Sequence, residues 1–138
     1  MDLKNQTQKR TIKFRGLRTD GKGWVYGGYF QHTPDEDGVR YYIFDFNEGA
    51  VEVIPESVGQ FTGCYDKNGK EIYEGDILKT FPIISSDKIA YDSFNVLVKF
   101  INSSWIANGV LGKRQAEISE VIGSINENPE LLENKFAD

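Results

Sequence analysis

The sequence predicts a single, mainly β domain, and three observations support this prediction. The 138 residues include nine Phe, seven Tyr and two Trp, and aromatic side chains favour the half-buried surfaces of β-strands. Several segments alternate apolar and polar residues with a period of two, which is typical of strands with one face in the core. The length suits one domain, because a chain of this size buries enough surface for a single independent core.

The first half of the chain predicts a series of short strands. Residues 11–18 place Ile12 and Phe14 on one side of a strand and Lys13 and Arg15 on the other. A turn at residues 20–23 follows, because its aspartate and two glycines favour tight turns. Further strands are predicted at residues 24–32, 39–46, 50–54 and 58–62, with a polar loop at 34–38 and a break at Pro55.

The second half predicts hairpins. Asn68 and Gly69 favour a type I′ turn, because both residues tolerate the positive φ angles that this turn requires. The turn would join a strand at residues 60–65 to one at residues 71–80. The remaining predicted segments are an irregular excursion at residues 81–93, a late hairpin of residues 94–100 and 105–110 that turns near Asn102 and Ser103, and a last strand at residues 120–125.

A short helix is predicted near the end of the chain. Asn128 is a favourable N-cap residue, and Pro129 suits the first helical position because its missing N–H costs no hydrogen bond there. The predicted helix runs to about residue 135, and Leu131, Leu132 and Phe136 give it an apolar edge. This edge suits docking on the sheets or on a neighbouring subunit.

Composition limits the location of the protein and its cofactors. Residues 1–10 are a polar leader, predicted to be flexible, before a single domain at residues 11–138. No stretch has the apolar character of a secretion signal or the length of a membrane span, so a cytoplasmic location is predicted. Cys64 and His32 are the only cysteine and histidine, which excludes zinc sites built from those ligands in a monomer. No cofactor is predicted.

The charge distribution is uneven. The formal net charge is -5, which argues against strong unspecific attraction to nucleic-acid phosphates. The first 22 residues nevertheless carry +5, while the remaining residues carry -10. This asymmetry predicts a basic edge on an acidic body.

Three segments carry a family resemblance. They are Ile-Lys-Phe-Arg-Gly at residues 12–16, a long run at residues 59–79, and residues 120–132. In order and spacing these segments resemble the YopX-like proteins of phages and prophages. The resemblance implies an SH3-like barrel or roll with additional N-terminal hairpins and a bacterial host, and it implies no particular biochemical activity. Cys64 departs from the pattern, since an aliphatic residue is usual there. The motif residues with predicted structural roles are Gly63, Asn68, Gly69, Glu74, Gly75, Asp76, Asn128 and Pro129.

Close carboxylates occur in the middle segment. Glu71, Glu74 and Asp76 are candidates for acid–base work or for holding a divalent cation. The structural interpretation is favoured: Gly75 relaxes the backbone of a turn and Asp76 bonds local amides. The acidic run at residues 35–37 lacks the ligand spacing of an EF-hand and predicts a solvated loop.

A candidate nucleic-acid site combines basic and aromatic residues near the first turn. A basic groove with exposed rings can stack single-stranded bases. The alternative is that the rings pack in the core and the charges are ordinary exposed strand residues. The candidate residues are Lys13, Arg15, Arg18, Trp24 and Tyr26.

Three functions follow from these observations. The first is a non-catalytic interaction module that binds a host or phage protein through a free strand edge or the C-terminal helix. The second is a small single-stranded nucleic-acid-binding barrel that uses the basic first strand. The third is a carboxylate- or metal-dependent hydrolase. A homo-oligomer is compatible with each, because free strand edges leave surface for a second copy to cover. No membrane partner is predicted.

Overall fold

The computed structural model describes residues 10–133, and strands dominate these residues. The mainly β prediction is confirmed. The strands are β1 Phe14–Leu17, β2 Trp24–His32, β3 Arg40–Asp45, β4 Gly49–Glu52, β5 Gly59–Tyr65, β6 Glu71–Tyr73, β7 Asp76–Thr80, β8 Ile83–Ser85, β9 Lys88–Ile89, β10 Phe94–Leu97, β11 Lys99–Ile101, β12 Ser104–Ile106 and β13 Glu120–Ser124. The helices are α1 Lys113–Glu117 and two 3-10 helices, Pro55–Ser57 and Pro129–Leu132.

The strands form open antiparallel sheets. A six-stranded sheet has the order β4-β3-β2-β1-β5-β6, and a three-stranded sheet has the order β10-β7-β13. Two further ribbons pair β11 with β12 and β8 with β9. Within residues 10–133 no sheet closes into the expected barrel. The reason lies in the predicted strand 71–80, which a turn at Gly75 (φ 90°) divides between the two larger sheets.

The first core lies on one face of the six-stranded sheet. Val25 on β2, Ile43 on β3 and Val53 after β4 are buried there. The backbones of β2 and β3 also approach closely, since a Cβ on Gly27 would stand 1.9 Å from the carbonyl oxygen of Phe44. Successive residues of a strand point to opposite faces of the sheet. One set of side chains on β2 and β3 therefore enters this core, and the other set lies on the opposite face.

The second core joins the three-stranded sheet to α1 and the β11–β12 ribbon. Its buried members are Ile72, Leu78, Val98, Ala107, Leu111 and Ala116. The helix α1 was not predicted. It is only five residues long, too short to show a recurring apolar face, so its position depends on packing of Ala116 against this core.

The Asn68–Gly69 turn differs from the prediction. Gly69 has a φ of 78°, whereas Asn68 is not among the residues with positive φ, so the turn is not type I′. The Asp66 side chain organises it instead, accepting the backbone N–H groups of Asn68 and Lys70. These hydrogen bonds to the Asp66 side chain stabilise a turn of a different type from the one that the Asn-Gly pair favours. Gly63, with a φ of 86°, lies where β5 shifts register against β6.

The predicted late hairpin is partly right. Asn102 and Ser103 form its turn with φ angles of 51° and 63°, two positive values as in type I′ geometry. Only β11 and β12 pair across this turn. The preceding strand β10 pairs with β7 of the three-stranded sheet. Residues 81–93 are also more regular than predicted, since they contain the β8–β9 ribbon.

The predicted C-terminal helix is a short 3-10 helix with Pro129 first, and Asn128 does not cap it through its side chain. The Asn128 Oδ1 accepts the backbone N–H of Ser124 instead and holds the preceding turn. The leader at residues 1–9 and the helix end with Phe136 lie outside the described residues. Among those that are described, no helix has the length and apolar character to cross a bilayer.

Candidate binding face

Arg15 does not lie on an exposed basic edge. It is 5% exposed, and its Nη2 donates to Asp76 Oδ1 over 2.7 Å. The guanidinium lies 4.1 Å from the ring centroid of Trp24 and 4.9 Å from that of Tyr73. Its Nε has no hydrogen-bond partner among the described residues. The expected exposure is therefore corrected: Arg15 is a buried cation between two rings, neutralised by a carboxylate.

Asp76 has the structural role that the sequence predicted, and one more. Its Oδ2 accepts the backbone N–H of Tyr73 over 2.7 Å, closing the turn that contains Glu74 and Gly75. Its Oδ1 accepts Arg15. Burial raises the pKa of the Asp76 carboxyl, although Arg15 and the Tyr73 amide act in the opposite direction. The carboxylate thus fixes both the turn and the buried cation.

Lys13 and Glu71 form a second ion pair beside the first. The Lys13 Nζ lies 2.5 Å from Glu71 Oε2, and the Tyr73 hydroxyl donates to Glu71 Oε1 over 3.1 Å. Burial and the nearby Glu71 carboxylate raise the pKa of Tyr73, which keeps this phenol protonated as a donor. These side chains border a cavity of about 360 Å³, here called the lysine cavity, which is lined by Lys13, Arg15, Tyr26, Lys70, Glu71 and Tyr73.

The other two candidate nucleic-acid residues, Arg18 and Trp24, do not line this cavity. Arg18 donates to Asp20 and Glu48. The Trp24 Nε1 donates to Glu127 over 2.8 Å, and its ring covers Arg15. The structure therefore brings Lys13, Arg15 and Tyr26 together, and each basic residue of the prediction is already paired with a carboxylate.

The candidate carboxylates do not converge. Glu71 lines the lysine cavity, whereas Glu74 lines a different cavity of about 320 Å³ between the sheets. Asp76 is buried against Arg15. Within residues 10–133, no group of three or more His, Cys, Asp or Glu side chains is placed to hold a metal ion.

The sole histidine and the sole cysteine have different surroundings. His32 is exposed at the end of β2, while Cys64 packs against the second core on β5. Burial raises the pKa of the Cys64 thiol, and a hydrogen bond from Thr62 only partly offsets this. The acidic loop at residues 35–37 is exposed, as predicted, with Asp35 accepting the backbone N–H of Asp37.

An exposed aromatic surface lies on the face of the six-stranded sheet opposite its core. Tyr26, Phe30 and Phe44 are 43%, 40% and 54% exposed. The Phe30 ring stacks on Tyr42 with centroids 5.2 Å apart, and these two residues pair across β2 and β3. We call Tyr26, Phe30, Tyr42 and Phe44 the aromatic face. Tyr26 also lines the lysine cavity, so the two features are continuous.

A gap interrupts the aromatic face at Gly28. This glycine pairs with Phe44 across the ladder, and a Cβ placed on it would meet no atom within 4 Å. The space above Gly28 is therefore open, on the same face as the rings of Tyr26, Phe30 and Phe44. The sequence contained the alternation that places these rings on one face, but both faces of β2 and β3 carry aromatic residues, so alternation did not indicate which face is exposed.

The comparisons with known proteins identify the family. The family model described as YopX protein matches residues 13–133. The chain belongs to the YopX protein family. The match covers every element of both sheets and the 3-10 helix Pro129–Leu132, so the family pattern extends over the lysine cavity and the aromatic face.

One solved structure has a similar fold. The crystal structure of protein EF1440 from Enterococcus faecalis is similar to this chain with a TM-score of 0.53 and 24% identity. The alignment covers 91% of this chain and 100% of the other. At this level of identity the similarity shows the fold alone. A search of curated proteins gives no match.

Proposed function

We propose that this protein is a non-catalytic interaction module that binds a host or phage protein on the aromatic face. The observation that supports the proposal is the exposure of Tyr26, Phe30 and Phe44 on one side of a sheet whose other side is a packed core. Single exposed apolar residues are ordinary, but neighbouring exposed rings on one surface are typical of interaction sites. Aromatic side chains are enriched in protein–protein interfaces.

The open position at Gly28 supports a protein partner. Interface hot spots are large side chains that pack against the other protein. The space above Gly28 leaves room for one such side chain beside the rings of the aromatic face.

Single-stranded nucleic acid is the second candidate partner. It is favoured by the location of Lys13, Arg15 and Tyr26 around one cavity with Lys70, since cations beside exposed rings suit phosphates and bases. The ion pairs to Glu71 and Asp76 weaken this candidate, because a cation already paired with a carboxylate releases fewer counterions on binding phosphate. A hydrolase has less support, since Glu71 and Glu74 line different cavities.

We further propose an origin, a location and an assembly state for the protein. The family resemblance supports a phage or prophage origin, and the single cysteine suits a reducing cytoplasm. An SH3-like relationship for part of the sheet and a homo-oligomer are further proposals. The latter is supported by the unpaired outer edges of the sheets.

Affinity capture from a bacterial host with matched variants tests the proposal. The wild type should retain a stoichiometric protein partner after nuclease treatment. Gly28→Val, which fills the open space above Gly28, and Phe44→Ala, which removes a ring, should each weaken retention about tenfold, as expected for a hot spot. Tyr91→Ala is the control, because Tyr91 is 97% exposed and lies outside the sheets.

Each outcome of the capture experiment has a defined meaning. Thermal unfolding of Gly28→Val should match the wild type, since the added Cβ meets no neighbour. Equal retention by all variants would refute the aromatic face as the docking surface. Material that is lost on nuclease treatment would replace the protein partner by nucleic acid.

A further inference from the structure

The lysine cavity carries an unbalanced positive charge next to the aromatic face. Its lining contains three cations, Lys13, Arg15 and Lys70, and one carboxylate, Glu71. Glu71 neutralises Lys13, and Asp76 behind the cavity wall neutralises Arg15. Among the described residues, Lys70 lies within 4 Å of no carboxylate. The cavity lining therefore carries one positive charge without a carboxylate partner among the described residues, on the exposed side chain of Lys70.

A second observation concerns Arg15, which also lines the cavity. The residue is 5% exposed, and its Nε donor has no partner within the described part of the chain. Buried donors without acceptors are uncommon, because the lost hydration is not replaced. The lining therefore includes a residue with an unsatisfied donor, which favours an acceptor over a further cation in this cavity.

The size and walls of the cavity define the group that fits. A volume of about 360 Å³ lies at the lower end of small-ligand sites, which suits a side chain and its neighbouring backbone. The phenols of Tyr26 and Tyr73 form part of the wall. Tyr26 belongs both to the cavity wall and to the aromatic face, so a peptide with one side chain in the cavity can place its next side chain on the aromatic face.

We propose that the lysine cavity binds a carboxylate of the partner, and that the partner's docking segment is an acidic peptide with a large apolar side chain beside that carboxylate. The inference rests on the proposed function and names the chemistry of its partner. One unpaired cation matches one carboxylate. A nucleic-acid strand would need a row of free cations, but Lys13, Arg15 and Arg18 are all paired with carboxylates of this chain.

Titration of the full chain with small probes, followed by amide chemical shifts, tests the proposal. The probes are N-acetyl-Glu-Phe-amide, its neutral counterpart N-acetyl-Gln-Phe-amide, and a short oligo(dT). The glutamate dipeptide should shift the amides of Lys70, Glu71 and Tyr26. It should bind about fivefold more tightly than the glutamine dipeptide, which is the upper range for one partly exposed ion pair.

Two variants test whether Lys70 supplies the positive charge that binds the carboxylate. Lys70→Gln should weaken binding of the glutamate dipeptide about fivefold and leave the glutamine dipeptide unchanged. Lys67→Gln is the matched control, since Lys67 lies in the same turn but pairs with Glu120, and it should bind both dipeptides as the wild type does. Equal affinity of the two dipeptides for the wild type would overturn the proposal, as would tighter binding of oligo(dT) with shifts around Lys70.

Partner capture separates this inference from the proposed function. If Gly28→Val loses the captured protein and Lys70→Gln retains it at the wild-type level, the aromatic face is the docking surface and the acidic-peptide inference is refuted. If both variants lose the partner, both proposals are supported. If neither loses it, the proposed function fails as well.

Discussion

Replacing Asp66 with alanine should remove the acceptor that ties the β5–β6 turn to the last strand. Asp66 Oδ1 accepts the backbone N–H groups of Asn68 and Lys70 over 2.8 and 2.9 Å, and Oδ2 accepts that of Val121 over 3.0 Å. The residue is 5% exposed, so water cannot readily replace the lost acceptor. Alanine therefore leaves three backbone donors without their partner.

The expected loss follows from these three bonds. At about 1 kcal/mol for each bond, the free energy of unfolding should fall by about 3 kcal/mol. For a domain of this length, the midpoint of thermal unfolding should fall by about 10 °C. Urea unfolding followed by tryptophan fluorescence measures the first quantity, and circular dichroism on heating measures the second. Asp35→Ala is the control, because its one bond to Asp37 is exposed, and it should change stability by less than about 0.5 kcal/mol.

The pH dependence of the same site has a definite sign. Burial raises the pKa of the Asp66 carboxyl, but the N–H donors of Val121, Lys70 and Asn68 lower it by more, so the folded pKa lies below the ordinary value. The stabilisation is complete above the unfolded pKa of about 3.9 and is lost as the pH falls through the lower folded pKa. The stability gap between the wild type and Asp66→Asn should therefore be largest near neutral pH and shrink in acid.

Two results would refute this reasoning. A loss below about 1 kcal/mol for Asp66→Ala would mean that water or a rearranged turn satisfies the three amides. A gap between the wild type and Asp66→Asn that does not change on acidification would mean that the ionised carboxylate is not the preferred acceptor.

Two further predictions concern the sheet. Arg15→Met leaves the buried Asp76 carboxylate without its cation and should lower the free energy of unfolding in urea by about 3–5 kcal/mol. The double variant Arg15→Met with Asp76→Leu should recover part of that loss. An Arg15→Met variant as stable as the wild type would contradict the buried pair. Gly27→Ala should cost more than about 2 kcal/mol because its Cβ would lie 1.9 Å from the Phe44 carbonyl, whereas Gly28→Ala should unfold at the wild-type temperature. Equal unfolding temperatures for the two alanine variants would disprove the close approach at Gly27.

Local patterns in the sequence were enough for several elements. The strand Trp24–His32 has the predicted bounds, since a run rich in aromatic residues and bounded by turn residues favours a strand. The turn at Glu74-Gly75-Asp76 also formed as predicted, because a positive φ at Gly75 and a short acceptor at Asp76 act within a few residues of each other. The 3-10 helix begins at Pro129 for a similarly local reason.

The candidate site was less predictable because its contacts are distant in sequence. Arg15 stands on a strand whose pattern assigned it to the solvent side, yet its partner Asp76 is 61 residues away. The Asn68–Gly69 turn was also misjudged, since the Asp66 carboxylate supplied acceptors that the Asn-Gly pair alone does not reveal. Neither outcome follows from a local window.

The sequence by itself determined the β class, the family, most strand positions and the turn at Gly75, because each depends on side chains a few residues apart. Tertiary structure decided which face of β2 and β3 is covered and which cations of the lysine cavity are neutralised. Those properties depend on Asp76, Glu71 and Glu127, which come from later strands and turns. Burial and charge pairing are properties of neighbours in space, and only the folded sheets bring these neighbours together.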